Sequence, residues 1–299
     1  MTDLAAPDHE YLTVRELADL LRLKERKIYD LAASGSVPCS KATGKLLFPA
    51  AEIRAWIEQA KSGGVSEKDA RSTGRPPIVL GSHDPLLDWA IRQSRCGLAT
   101  YYDGSLDGLD RFVRGEGVMT GLHIHDAQTD CWNVPAVTGV AADQNAALIS
   151  FATRRRGLVF RSGEPTPLRL TDLAGRRIVP RQVESGTDAL FRELAAKEGL
   201  DLSDFEFTEV ARTEDAAVEA VRRGNADAAF GLEAVASSYG LEFSPIIEEE
   251  FALLIDRKAW FEPAVQTLMA FCATEQFMNR ATEYGGYDTS ALGSFIWNA

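Results

Sequence analysis

Five hydroxyl side chains, Ser82, Ser105, Thr120, Ser185 and Thr187, lie just after short apolar runs, three of them in the pairs Gly81-Ser82, Gly104-Ser105 and Thr120-Gly121. A hydroxyl at a helix start lies beside free backbone N–H groups, and the helix dipole favours an anion there. The chemistry on offer is non-covalent capture of an acidic group. Each residue taken alone could simply cap a helix, worth about 1 kcal/mol. Three such sites in one alternating stretch point instead to a binding cleft. Arg181 and the run Arg154-Arg155-Arg156 could neutralise an anion there, although such a run can equally be a solvated charged edge. His83, His123 and His125 also fall in loops of this region. His123 and His125 alternate and so face opposite ways on a strand, which argues against a shared metal. Cys39, Cys96, Cys131 and Cys272 form no Cys-x-x-Cys pair, so neither a zinc site nor a disulfide framework is indicated. The chain carries no nucleophile motif, Walker loop or dinucleotide fingerprint. A binding role without catalysis, cofactor or metal is the expectation.

The elements that must position these residues are strands alternating with helices. Ile78 to Ser82, Gly97 to Tyr102 and Gly117 to Ile124 read as strands, with helices over Pro85 to Gln93 and Leu106 to Arg114. A second block follows. It has a short capped helix at Leu170 to Gly175, strands at Arg177 to Pro180, Phe205 to Val210 and Ala226 to Gly231, and helices at Asp188 to Glu198 and Glu214 to Arg223. Apolar pieces at Ile246-Ile247 and Phe251 to Ile255 return, and two helices close the chain. This alternation predicts an α/β fold with a parallel sheet. Ligands of open α/β sheets bind outside the carboxyl ends of the strands, where the hydroxyls stand.

The first sixty residues have a different pattern. Thr13 followed by Glu16 is a capping-box signature for a helix start. Leu17, Leu20 and Leu21 then give one apolar face. Arg22-Leu23 makes a break, and a second helix begins at Lys24, with Ile28 and Leu31 turned inward and Lys24, Arg26, Lys27 and Tyr29 outward. Gly35 stops that helix and Pro38 cannot extend it. Thr43 to Pro49, turning at Gly44-Lys45, suggests a small hairpin or wing. Ile53, Trp56 and Ile57 share one face of a third helix. Residues 11–61 hold nine Lys or Arg and six acids, a local charge of +3, while the whole chain carries −12, so the remainder sums to −15. A basic module on an acidic body localises a phosphate-binding surface.

Across the 299 residues, 45% are hydrophobic, the balance of a globular protein with room for two or three domains. No apolar run approaches the roughly 20 residues needed to cross a membrane. The polar, acidic start Met1 to Glu10 is no signal peptide, so a cytoplasmic protein with reduced thiols is expected. Residues 62–77, rich in Gly, Ser and Pro, read as a linker in which some helix could persist.

Residues 11–61 resemble the MerR/excisionase-like helix-turn-helix family. The resemblance rests on Leu12-Thr13 with Glu16-Leu17-Ala18, Ile28-Tyr29, Gly35 with Val37-Pro38, Gly44-Lys45 with Phe48, and Ile53 and Trp56. It implies a small winged helix-turn-helix domain within residues 1–61 that contacts double-stranded DNA through Thr13, Arg15, Lys24, Arg26, Lys27, Tyr29, Lys41 and Lys45. One such head reads few base pairs, so a dimer or tetramer on a paired operator is expected.

Residues 78 to about 290 resemble the periplasmic-binding-protein-like domain related to molybdate-binding proteins. The supporting pieces are Gly81 to Leu87, Gly104-Ser105 with Gly108-Leu109, Gly115-Glu116, Gly121-Leu122-His123 with Asp126, and Arg156 to Val159. They continue with Arg181-Gln182, Ser185-Gly186-Thr187, Gly224 to Gly231, and Gly285 to Asp288. The resemblance implies a type II fold over 78–299. One lobe would take residues 78–150 and 250–299, the other 160–243, with crossovers near 149–160 and 243–255 and a ligand between the lobes. It places Ser82, His83, Asp84, Gly104, Ser105, Thr120, His123, Arg156, Arg181, Glu184, Ser185, Thr187, Asp188 and Glu233 around that ligand. Relatives commonly read Gly-Ser-Gly-Thr-Arg where this chain has Glu184 to Asp188. That change favours a zwitterion or an organic acid over a bare molybdate-like oxyanion, with Glu184 or Asp188 holding a donor group. The expected function is a ligand-responsive transcription regulator. The alternatives are an enzyme on this fold, or a regulator whose sensor no longer binds anything.

Overall fold

The computed structural model describes residues 10–35, 37–40, 44–59 and 74–299. They fall into two compact units, one within 1–71 and the other within 72–299. Lys41, Thr43 and linker residues 62–73 lie outside the described residues.

The first unit contains β1 (Tyr11–Leu12), α1 (Val14–Leu21), α2 (Glu25–Ala33), β2 (Phe48–Pro49) and α3 (Ala50–Gln59). The capping box forms as the Thr13/Glu16 spacing requires. The Glu16 N–H donates to Thr13 Oγ1 at 3.3 Å, and the Thr13 N–H donates to Glu16 Oε2 at 2.8 Å. Arg22 ends α1 in the left-handed region at φ 54°. β1 pairs antiparallel with β2, and Ser40 bridges Leu47, so extended backbone flanks the Gly44 turn. The core gathers Leu17, Ala18, Ile28, Ala32, Val37, Phe48 and Ile53, with Leu21, Leu31, Trp56 and Ile57 packed against it. Burial of each large side chain contributes roughly 1.5–3 kcal/mol. One expectation is corrected: Leu20 is 53% exposed. The inward face of α1 is Leu17, Ala18 and Leu21, and Leu20 falls beyond the edge of that stripe.

The second unit begins with β3 (Ile78–Gly81), α4 (Pro85–Ser94), β4 (Ala99–Tyr102), α5 (Ser105–Val113) and β5 (Met119–Leu122). A hairpin of β6 (His125–Asp126) and β7 (Cys131–Trp132) follows, then α6 (Val134–Ala141) and the long strand β8 (Ala146–Phe160). The second half contains β9 (Arg177–Val179), α7 (Gly186–Lys197), β10 (Glu206–Phe207), α8 (Glu214–Arg222), β11 (Ala228–Leu232), α9 (Glu233–Ser238) and a second long strand, β12 (Glu242–Asp256). The chain closes with α10 (Arg257–Trp260), α11 (Pro263–Cys272), α12 (Glu275–Tyr284), β13 (Tyr287–Asp288) and β14 (Phe295–Asn298).

One sheet runs through this unit in the order β10-β9-β11-β8-β12-β5-β3-β4, with β13 and β14 also on β8. β3 lies parallel to β4 and β5, and β9 parallel to β10 and β11. These parallel sets are the hearts of two lobes. The antiparallel pair β8/β12 connects them, where crossovers were expected. Helices cover both faces of each lobe, giving the first lobe two apolar clusters and the second lobe two more.

The differences from the sequence reading are local. The strand expected over 205–210 is only β10. The capped helix at 170–175 is a single 3-10 turn over Leu170–Leu173. Ile246-Ile247 and Phe251 to Ile255 are one strand, joined through three glutamates that have partners across the pair. β14 was not anticipated, because four residues near a chain end give too little periodicity. Among the described residues no helix is long and apolar enough to cross a membrane.

Candidate functional site

A cavity of about 290 Å³ lies between the lobes. It is lined by the segments that follow β3, β4 and β5 on one side and β9 and β10 on the other, the carboxyl ends of parallel strands. From the first lobe come Ser82, His83, Tyr102, Gly104 and His123. From the second come Arg181, Gln182, Ser185, Thr187, Arg212, Thr213, Glu214 and Asp215.

Backbone geometry brings the two sides together. Gly104 adopts φ 106°, and a Cβ there would stand 2.9 Å from the Glu184 carbonyl oxygen of the opposite lobe. Only a glycine permits that approach. Gly104 is also the N-cap of α5, so no side chain caps the first-turn N–H groups of that helix. Ser185 caps α7, accepting from the Asp188 N–H at 3.1 Å, and Thr213 caps α8, accepting from the Ala216 N–H at 3.0 Å. Three helix N-termini therefore face one cavity.

The predicted hydroxyls divide into two layers. Ser82, Ser185 and Thr187 line the cavity. Ser105 lies behind Ser82, their oxygens 2.8 Å apart, and accepts the His123 N–H at 3.1 Å. Thr120 is fully buried deeper still, its Oγ1 close to both Gly81 and Gly108, where any Cβ would collide with it. These two position the wall and do not line it.

Beneath the cavity the charged residues form a chain through both lobes and both connecting strands. Asp84 caps α4 and accepts from Arg154 Nη1 at 2.9 Å and from the Tyr287 hydroxyl at 2.7 Å. Glu249 bonds Arg154, accepts from Arg156 Nε at 2.7 Å, and lies 3.1 Å from His123 Nδ1. Glu214 Oε1 accepts from Arg156 Nη1 and from Thr187 Oγ1, each at 3.0 Å, and stands 2.9 Å from Arg181 Nη1. Arg181 also donates to the Ala211 and Arg212 carbonyls. Arg154 and Arg156 are both 1% exposed, so the arginine run is no solvated edge. Arg155 alone faces outward, 2.8 Å from Glu233.

The protonation states follow from these contacts. Burial would raise the Glu214 carboxyl, but Arg156 and Arg181 outweigh it and hold it at about 2. Burial likewise opposes ionisation of Glu249, and the buried guanidinium groups of Arg154 and Arg156 keep it well below the ordinary range. Burial pushes His123 down, outweighing Glu249, so the ring is neutral at pH 7. Burial, with Asp88 and Asp84 nearby, pushes the Tyr102 hydroxyl well above its ordinary range, so it stays a donor. His83 Nδ1 and the Tyr102 oxygen are buried without a hydrogen-bond partner among the described residues. Both residues line the cavity.

Several expected positions do something else. Asp188 pairs with Arg192 one turn along α7, with Nε 2.6 Å from Oδ2, and is absent from the cavity wall. In place of the expected contact with a donor group, the carboxylate, at the third position of the helix and only 5% exposed, is taken up by Arg192. Glu184 is exposed and contributes its backbone to the Gly104 contact. Asp84, Arg156 and Glu233 are spent on the ion pairs above. The acid in the cavity wall is Glu214, with Asp215 beside it. Neither was singled out from sequence, nor were Tyr102, Gln182, Arg212 and Thr213. The signal was present, because Glu214 opens a predicted helix directly after a predicted strand.

In the first unit Thr13, Arg15, Lys24, Arg26, Lys27 and Lys45 are exposed, and Tyr29 is 51% exposed. Ile28 and Ala32 hold α2 on the core and leave Arg26, Lys27 and Tyr29 on its outer side.

Comparison with known proteins agrees with this architecture. Over 300 residues the chain is 24% identical to the uncharacterized protein YvgK of Bacillus subtilis (strain 168), covering 95% of this chain and 97% of that one. The regulatory domain of CcmR from Synechocystis PCC6803, solved in complex with 2-PG, is similar at TM-score 0.50 and 12% identity over 68% of this chain and 99% of that one. A phosphate-bound substrate-binding protein from Clostridium perfringens is similar at TM-score 0.51 and 10% identity over 71% and 98%. At such identities these two structures establish the fold alone. Residues 11–61 match the helix-turn-helix domain family and residues 89–273 the PBP superfamily domain. Over most of its length the chain thus belongs to the PBP superfamily domain family, and a helix-turn-helix domain precedes that region.

Proposed function

We propose that this protein is a ligand-responsive transcription regulator that binds a small organic acid, anionic or zwitterionic, between its lobes. The observation that carries the proposal is the interlobe cavity itself, with three helix N-termini and the partnerless His83 and Tyr102 on its wall, in a chain that also carries a helix-turn-helix domain. The CcmR regulatory domain, of like fold, was solved in complex with 2-PG, and that precedent supports a small-molecule ligand here.

The charges narrow the ligand class. Arg156 and Arg181 are committed to Glu214 and Glu249, leaving Arg212 as the exposed cation of the wall, itself 2.8 Å from Asp103. A divalent oxyanion such as molybdate would rely mainly on helix dipoles. The volume of about 290 Å³ lies at the lower end of small-molecule sites, roughly 300–1,000 Å³, and suits an organic acid with further polar groups. An analogue lacking those groups leaves buried donors unpaired, at about 1–3 kcal/mol each.

On the DNA side, Lys24, Arg26, Lys27 and Lys45, with Arg15, Tyr29, Thr13 and Lys41, contact the operator of a homo-oligomer in the cytoplasm. Sedimentation above the 32.7 kDa of one chain checks the oligomer. Calorimetric titration with molybdate, sulfate, phosphate, and small carboxylic, amino and sulfonic acids tests the ligand class. Tight binding by an organic acid and weak binding by the bare oxyanions supports the reading. Tight molybdate binding restores an oxyanion sensor, conversion of a bound acid marks an enzyme, and no binding at all marks a sensor that has lost its ligand.

A further inference from the structure

The hairpin β6/β7 belongs by sequence to the first lobe but makes its contacts on the second. Its base is fixed in the first lobe and on a connecting strand. Asn133 accepts the Ile124 N–H at 2.8 Å and donates to the Glu250 carbonyl of β12 at 2.9 Å. Ile124 and Val134 then pack into a first-lobe cluster with Leu80, Phe112 and Val137. The turn is held internally, because Asp126 Oδ1 accepts from the Gln128 and Thr129 N–H groups. A rooted, pre-shaped hairpin can transmit a position, whereas a loose loop cannot.

Its outer part crosses the gap. Trp132 packs against the second-lobe cluster that contains Ile178, Leu190, Phe191 and Phe230. His125 stacks near Trp132, ring centroids 4.8 Å apart, and its Nδ1 lies 2.8 Å from Glu193 Oε2 on α7. The His125 and Glu193 side chains are 4% and 15% exposed, so solvent screens this contact little. Asp130 reaches Lys197 of the same helix at 3.8 Å, but at 85% exposure that pair adds little. All three contacts fall on α7 or the core beneath it. This is the helix whose first turn carries Ser185 and Thr187 into the cavity.

We propose that the 124–133 hairpin is an interlobe strap. It clamps α7 to the first lobe and holds the lobes closed before any ligand is bound. A ligand shifts a conformational equilibrium only by its difference in affinity between the two states. With the strap in place, cavity occupancy stabilises a closed state that already dominates, so a bound acid acts on DNA binding through contacts made within the closed state and not through lobe closure. Release of the strap is the step that opens the cleft. The proposal concerns the lobes alone and stands whichever acid the cleft takes.

Spin-label distances in the full chain test it. Gln93→Cys on α4 and Arg222→Cys on α8, both exposed, report the lobe separation, with Cys39→Ser and Cys131→Ser removing competing thiols. Without added ligand, the otherwise unaltered chain gives one short distance. Trp132→Ala and Glu193→Gln each add a longer population, raised at least severalfold. Glu193→Gln is nearly isosteric and decides the matter if Trp132→Ala fails to fold. Distributions in Glu193→Gln and any folded Trp132→Ala that superimpose on the unaltered chain overturn the strap, as does a dominant long distance before either change.

Discussion

Glu214→Gln removes one negative charge from the buried chain of ion pairs and leaves the shape nearly unchanged. Its Oε1 accepts from Arg156 and Thr187 at 3.0 Å and stands 2.9 Å from Arg181. The magnitude can be worked two ways. Breaking a buried pair from one side typically costs about 3–5 kcal/mol, because a charge is left uncompensated. Separately, the carboxyl is held at about 2 against an ordinary 4.5. At 1.36 kcal/mol per unit that difference is worth about 3 kcal/mol. The sign follows from proton uptake. The unfolded chain binds this proton first as the pH falls, so the stability is fully present above pH 4.5 and is lost as the pH falls toward 2. Urea unfolding followed by tryptophan fluorescence should show the variant about 3 kcal/mol less stable at pH 7, with roughly half that gap at pH 3. A gap under about 1 kcal/mol at pH 7, or one that stays constant into acid, would refute the account of a charge held in place by two arginines.

Gly104→Ala places a Cβ 2.9 Å from the Glu184 carbonyl at φ 106°. It should weaken calorimetric binding of whichever panel acid binds the unaltered protein by at least tenfold, and unchanged affinity would show that the lobes need not meet there. Asp188→Asn should leave that affinity within about twofold while costing about 1–3 kcal/mol in stability, since a buried carboxylate loses its charge-assisted bonds to Arg192. A large affinity loss would return Asp188 to the ligand. Alanine at Lys24, Arg26 and Lys27 should each lower the log–log salt slope of DNA binding by about 0.9 if each meets a phosphate, read by fluorescence anisotropy. Three unchanged variants would remove α2 as the DNA-contacting helix.

The fold was legible because each element carried its own signal. The Thr13/Glu16 spacing fixed where α1 starts, and strand-helix alternation from Ile78 onward gave the parallel sheet. The site was only half legible. Ser82, Ser185 and Thr187 line the cavity because the ends of strands and starts of helices can be read locally. Ser105 and Thr120 follow the same pattern, yet lie one layer back, since depth depends on how tightly α5 packs, through Gly108, over Gly81. The arginine run could not be placed alone. Its meaning comes from the register across β8 and β12, which sets Glu248 opposite Arg155 and Glu249 opposite Arg154. Two complementary runs ninety-odd residues apart, at 154–156 and 248–250, were both visible as sequence. Only the pairing showed that Glu249 takes both Arg154 and Arg156, while Arg155 turns outward to Glu233. Asp188 misled for the opposite reason. A changed residue in a ligand loop suggests a changed ligand, but its side chain turned to Arg192 on its own helix.

The most direct test of the central claim joins the two domains in one measurement. Genomic fragments retained by the full chain would be identified, and anisotropy titrations on the tightest fragment repeated with each panel acid at a saturating concentration. The account predicts that an acid bound in the interlobe cavity changes the DNA affinity at least fivefold, and that Gly104→Ala abolishes this response while basal DNA affinity is kept. An acid that binds the cavity tightly yet leaves DNA affinity unchanged would contradict it.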